Sequence, residues 1–142
     1  MKICFDASFL FSLYAIDAHT QSAITAMTHT PAIRLATDLT ELELRNSLQL
    51  RVFRGELSAV AARAAYAEWQ TDLADGLFEL HPLPENWTRR SHAIVQQQTA
   101  RLGTRTLDLV HVAAALELGA DALFSFDDRQ RRLARELKLK VN

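Results

Sequence analysis

The 142-residue sequence has a single cysteine, Cys4, so no disulfide forms within the chain and a core has to hold the fold. Cys4 sits inside the apolar run Ile3-Cys4-Phe5, the setting of a small buried residue and not of a reactive thiol. Glycine is scarce as well. Gly55, Gly76, Gly103 and Gly119 are dispersed at the ends of periodic segments and read as helix stops, which excludes a Walker A loop and a dinucleotide fingerprint. A run of roughly 18 apolar residues, the length of a membrane-spanning helix, is absent. Met1-Lys2 followed by Ile3 to Ile16 has the outline of a secretory signal, but Asp6 interrupts it and no small-residue cleavage site closes it; a cytoplasmic protein is expected. An excess of either charge is also missing. Sixteen Lys and Arg stand against 17 Asp and Glu, net −1, so a polyanionic partner has to be held by a local patch. The five histidines (His19, His29, His81, His92, His111) lack zinc-binding spacing, and Ser8 has no triad context.

What is present is the length and composition of one globular domain covering residues 1–142, with 49% hydrophobic and 23% charged residues. Short apolar runs alternate with helical patterns. Strands are expected at Ile3–Phe5, Ile33–Ala36, Leu77–Leu80, Ala122–Phe126 and Leu139–Val141. Helices are expected from Asp6 to Tyr14, Thr20 to Thr28, Thr40 to Arg54, Ser58 to Ala74, Pro84 to near Gly103, Thr106 to Leu118 and Asp128 to Leu137. This is an α/β pattern: a short, mainly parallel central sheet of about four to five strands sandwiched by about seven helices.

The acids fall at informative places. Asp6 follows the first strand and opens a helix, and Asp127 does the same after Ala122–Phe126. Asp108 lies in the first turn after Thr106; Glu43 lies within a helix, with Asn46 on nearly the same face and Glu41 as a competitor. Asp at a helix start is also the commonest cap, so Asp6, Asp108 and Asp127 each have an ordinary structural explanation, as does Glu43 as an exposed helix residue. In parallel α/β sheets, however, sites form beyond the carboxyl ends of strands. Asp6 and Asp108 lie in apolar segments, and buried carboxylates need a compensating cation. All-oxygen donors favour Mg²⁺, with Mn²⁺ as substitute, over Zn²⁺. Like charges brought together disfavour ionisation, so at least one of these acids is expected to have a raised pKa without metal.

Four segments resemble the PIN-domain nucleases, and within them the VapC-type toxins of toxin–antitoxin pairs. They are Phe5-Asp6-Ala7-Ser8, Glu43-Leu44-Arg45-Asn46-Ser47 with Arg54-Gly55-Glu56-Leu57 behind it, Gly103 to Ala113 around Asp108, and Phe124-Ser125-Phe126-Asp127-Asp128-Arg129-Gln130. The resemblance covers essentially the whole chain and implies a PIN-like fold, Mg²⁺-dependent cleavage of RNA, a protein antitoxin and a homodimer. It maps the family's acidic site onto Asp6, Glu43, Asp108 and Asp127, with Asp128 beside the last as an alternative, and Ser125 onto the family's small hydroxyl residue. The family often carries a glycine before its final strand, where this chain reads Leu137-Lys138-Leu139.

On this reading Asp6, Asp108 and Asp127 hold metal, and Glu43 binds through water or takes the attacking water's proton. Ser125 and Asn46 orient the acids, and Arg105 contacts phosphate. His111 is expected to be a packed, hydrogen-bonded core histidine, and His92 has no assigned role. Two basic clusters offer phosphate contacts: Arg45, Arg51 and Arg54, and a stretch from Arg129 to Lys140 in which Glu136 is the only acid. Phe9 to Tyr14, and Leu50, Val52 and Phe53, are either core or partner surface. Two alternatives to a nuclease are a haloacid-dehalogenase-like phosphotransferase, whose second Asp would stand where Ser8 is, and an inactive PIN-like RNA-binding module.

Overall fold

A computed structural model describes all 142 residues. Four strands, β1 (Lys2–Phe5), β2 (Ile33–Thr37), β3 (Glu79–His81) and β4 (Ala122–Phe124), form one parallel sheet in the order β3-β2-β1-β4. The helices are α1 (Ala7–Tyr14), α2 (Thr20–His29), α3 (Asp38–Phe53), α4 (Ala59–Ala74), α5 (Trp87–Ile94), α6 (Ala100–Leu102), α7 (Thr106–Glu117) and α8 (Asp128–Glu136). A π-helical stretch, Val95–Thr99, joins α5 to α6, so Trp87 to Leu102 is one rod and the helices number seven. No helix is long and apolar enough to cross a membrane.

Alternation along β1 explains the two-layered core. Ile3 and Phe5 face one side of the sheet with Phe9, Leu44, Leu48, Trp69 and Phe78. Cys4 faces the other side with Ile94, Leu109, Val112, Leu123 and Leu133. A central parallel strand covered on both faces therefore reads as an unbroken apolar run. Phe5 anchors the first layer through edge-on contacts with Phe9, Phe78 and Phe124 at ring-centroid distances of 5.0, 5.3 and 5.5 Å. Burial pushes the Cys4 thiol up to about 12, which suits an inert packing residue. Phe9, Leu10 and Phe11 are buried in the same layer, so the apolar first helix is core.

Several expected boundaries move, each for a local reason. α3 starts at Asp38, before the expected Thr40, because Thr37 is its cap and accepts the Thr40 N–H at 3.2 Å. Pro84 does not open the next helix: its carbonyl accepts the Trp87 N–H in a turn, and α5 begins there. Gly103 ends that rod in the left-handed region at φ 64°. The last strand shrinks to one parallel bridge between Lys140 and Ala122, and β4 ends at Phe124, beyond which Ser125 Oγ bonds Asp6.

The missing glycine has a structural consequence. α8 ends in a Schellman motif, with Leu139 N–H donating to the Ala134 carbonyl at 3.0 Å and Lys138 N–H to that of Arg135 at 3.1 Å. Lys138 occupies the left-handed position, φ 68°, where a Cβ is strained. Lys138→Gly is expected to stabilise the protein by about 1 kcal/mol, read as a higher melting temperature at unchanged activity.

Candidate active site

The site forms where the sheet changes direction. β1 pairs with β2 on one side and β4 on the other, and the chain leaves the carboxyl ends of β1 and β4 side by side. The register pairs Phe5 with Phe124, so Asp6 and Ser125 come next to each other: Asp6 N–H donates to the Phe124 carbonyl at 3.1 Å and Ser125 Oγ to Asp6 Oδ2 at 2.8 Å. Thr40 Oγ1 ties α3 to the end of β1 by donating to the Phe5 carbonyl at 3.3 Å, which brings Glu43, one turn on, to the same place. α7 lies against the other side of the sheet and contributes Asp108 and His111, three residues apart on one face.

Asp6, Glu43, Asp108 and Asp127 line one cavity of about 450 Å³, together with Asn46, Arg105, His111 and Gln130. The structural and chemical readings of these acids turn out to be compatible, because a carboxylate has two oxygens. Asp6 Oδ1 caps α1 by accepting the Phe9 N–H at 2.9 Å, while Oδ2 accepts from Ser8 Oγ (2.9 Å) and Ser125 Oγ (2.8 Å). Asp127 Oδ1 caps α8 through the N–H groups of Arg129 and Gln130 at 2.9 and 3.2 Å, while Oδ2 accepts from Arg105 at 2.8 Å. Asp108 Oδ2 accepts from the Arg105 backbone N–H at 3.3 Å and its Nε at 3.2 Å.

Two ambiguities of the sequence disappear. Glu41 accepts from Tyr66 O–H and Trp69 Nε1, each at 3.2 Å, and so belongs to the α3–α4 contact. Glu43 is the acid that faces the cavity. Asp128 points outward, its side chain 94% exposed and 3.6 Å from Arg131, and Asp127 is the one of the two that lines the cavity. Asn46 lines the cavity without bonding any of the four acids, and His92 is exposed away from it.

The acids share one cleft, but no three of them, with or without histidine, form a ready metal-ligand set. Protein cations hold them instead. Arg105 bridges Asp108 and Asp127 and is held strongly protonated by them. His111 is buried and pairs through Nε2 with Glu43. Burial draws its pKa down, but the hydrogen bond to Glu43 and the charges of Glu43, Asp6 and Asp108 outweigh that and raise it. Sequence reasoning placed His111 in the core; its tie to Glu43 needed the helix packing. Gln130, which the sequence marks only by its place three residues after Asp127, also belongs to the cavity. It lines the cavity with its buried Oε1 lacking any donor. Four carboxylates and a vacant buried acceptor fit a hard divalent cation with bound water.

The pKa of Asp6 is raised, as expected for one of the acids, but for another reason than repulsion. Burial dominates, and the bonds from Phe9, Ser8 and Ser125 and the charge of His111 offset it in part. An acid with this sign holds its proton longer in the folded than in the unfolded chain, where it titrates near 3.8. Below that value both states are protonated; as pH rises through the folded value, stability is lost. In EDTA, Asp6→Asn is therefore expected to melt a few degrees above wild type at pH 7, with the gap closing near pH 4; melting curves across that range check it.

Comparison with known proteins agrees with this architecture. The PIN domain family model matches residues 3–136. VapC20 of Mycobacterium tuberculosis, a toxin that cleaves the sarcin–ricin loop, superposes with a TM-score of 0.70 at 18% identity, over 92% of this chain and 94% of that one. VapBC2 of Rickettsia felis, bound to a DNA fragment from its promoter, gives 0.63 at 11% identity over 100% and 98%. A toxin–antitoxin complex from Klebsiella pneumoniae gives 0.61 at 16% over 91% and 89%. At these identities the likeness is one of fold, and no curated protein matches the sequence. A family match over nearly the whole chain, joined to four parallel strands and an acid-lined cleft at their carboxyl ends, makes this chain a member of the PIN-domain family.

Proposed function

We propose that this protein is a divalent-metal-dependent endoribonuclease and the toxin of a toxin–antitoxin pair. The observation that carries the reading is the meeting of Asp6, Glu43, Asp108 and Asp127 around one cavity in a PIN-family chain. The VapC-like fold and the toxins among the similar structures support the toxin assignment. Asp6, Asp108 and Asp127 would hold Mg²⁺, or Mn²⁺ in its place. When bound, the ion neutralises charge on the phosphoryl oxygens and lowers the pKa of a bound water.

The chain's own residues do the rest. Ser8 and Ser125 donate to Asp6 Oδ2 and fix its direction. Glu43 accepts a proton from the attacking water at its carboxylate, and His111 Nε2 holds that carboxylate in place. Arg105, paired with Asp108 and Asp127, stands beside the cavity, where its guanidinium would donate to a phosphate oxygen of the substrate. An antitoxin and a second copy of the chain are the proposed protein partners. Phe53 (87% exposed) and Val60 (68% exposed) supply uncovered apolar surface for one of them.

Purified protein with Mg²⁺ or Mn²⁺ is expected to cleave single-stranded or looped RNA, and EDTA to stop it. Asp6→Asn and Asp108→Asn should each lower the cleavage rate at least about 100-fold with the fold intact. Arg105→Ala should cost roughly tenfold or more and Arg63→Ala, on the exposed side of α4, nothing measurable. Wild-type activity in Asp6→Asn, measured by gel cleavage of labelled RNA, would sink the metal mechanism.

A further inference from the structure

A second cavity of about 330 Å³ adjoins the acidic one and shares Ser8 and Ser47 with it. Its chemistry is the opposite. Arg51, Arg54 and His19 line it, with Phe11 and Phe126 as aromatic walls. We propose that it is a nucleotide subsite, which takes the base and phosphate of the RNA nucleotide next to the scissile bond. This rests on the nuclease reading of the acidic cavity.

Three observations point to a nucleotide. The first is a column of parallel rings. Phe126 stacks with buried Phe9 at 5.2 Å and 2°, and with exposed His19 at 4.5 Å and 11°. Planar rings held in register, with an exposed one at the end, suit stacking of any base. The second is free positive charge. Arg54 is exposed and has no ion-pair partner, and Arg51 divides its guanidinium between Glu56 at 2.8 Å and the Phe11 ring at 4.9 Å. In a chain of net charge −1, a guanidinium beside a stacking column is the local attraction that a phosphate needs. The third is preorganisation. Asp17 is the only acid lining the cavity, and both its oxygens are used within the chain: Oδ2 accepts from Ser12 Oγ at 2.7 Å and Oδ1 from the His19 N–H at 2.8 Å. It therefore fixes the loop that carries His19, and those donors turn both its oxygens inward, while Arg51 and Arg54 outnumber its single charge in the cavity.

The neighbouring carboxylates explain the arrangement. The acidic cavity attracts a phosphate only once it is loaded with metal, whereas the basic cavity attracts one at any time. RNA seated on His19 and Arg54 would place the adjoining phosphodiester over Asp6 and Asp108, since the two cavities meet at Ser8 and Ser47.

The test is made in EDTA, so that it does not depend on cleavage. Fluorescence anisotropy with a labelled single-stranded RNA octamer measures binding to wild type, His19→Ala, His19→Phe, Arg54→Ala and Arg63→Ala, with melting curves to verify folding. His19→Ala is expected to weaken binding roughly tenfold, and His19→Phe, which keeps a ring, to restore it. Arg54→Ala should weaken binding to all sequences and reduce the slope of log K against log salt by about one. In wild type, one abasic substitution along the octamer should weaken binding, and His19→Ala should abolish that penalty. Wild-type affinity in both alanine variants, or an abasic penalty that persists in His19→Ala, overturns the subsite. Displacement of the RNA by polyglutamate at equal charge concentration also overturns it, in favour of an acidic peptide. Absence of metal-dependent cleavage by wild type instead defeats the nuclease reading and leaves the binding result to stand by itself.

Discussion

The burial of one carboxylate organises this molecule. Asp6 is 3% exposed at the carboxyl end of the central strand, where its charge is costly. It is tolerated because three other pieces of the chain are arranged around it: the α1 N-terminus with Ser8, Ser125 beyond β4, and His111 of α7. Ser125 is buried too and also accepts the Asp127 N–H at 2.9 Å, so the first acid and the last are joined through one hydroxyl. Alanine at this position would leave several donors without an acceptor, whereas asparagine keeps an acceptor oxygen and removes the costly charge.

Charge balance around Asp6 follows from the same constraint. Four carboxylates facing one cavity require positive charge, and the chain supplies it from Arg105 and His111. Both sit on or beside the helix that carries Asp108, so one helix provides an acid and its counterions together. A divalent ion entering the cavity would compete with side chains that can withdraw. This suits a site whose cation is bound during function and not built into the fold.

The acids also hold the backbone. Asp6 and Asp127 each use one oxygen as a helix cap, while the other accepts from side chains around the cavity, Ser8 and Ser125 for Asp6 and Arg105 for Asp127. The caps orient the remaining oxygens of these carboxylates without any dedicated scaffold, because cap geometry fixes the side-chain torsions. The basic cavity lies on the far side of Ser8, so a boundary between negative and positive surface runs across the floor of the cleft.

Much of this was legible in the residues. The apolar triplet before Asp6, the helix stops at the glycines and the capping acids are local signals, and local physics decided the α/β architecture, the helices and the three aspartates at their starts. The Leu137-Lys138-Leu139 departure was legible as well, since a left-handed residue is a property of the backbone at one point. What only the tertiary structure decided depends on which helix face meets which neighbour. Glu41 and Glu43 lie on opposite faces of α3, and the packing of Trp69 and Tyr66 against one of them chose the other for the cleft. Asp127 and Asp128 were separated by the direction in which the chain leaves β4. The pairing of His111 with Glu43, across 68 positions of sequence, and the column joining Phe9, Phe126 and His19 come from the sheet order together with the packing of the helices on it. The cause of the raised Asp6 pKa was likewise a matter of burial, which composition and spacing do not measure because desolvation is set by what the rest of the chain places around a residue.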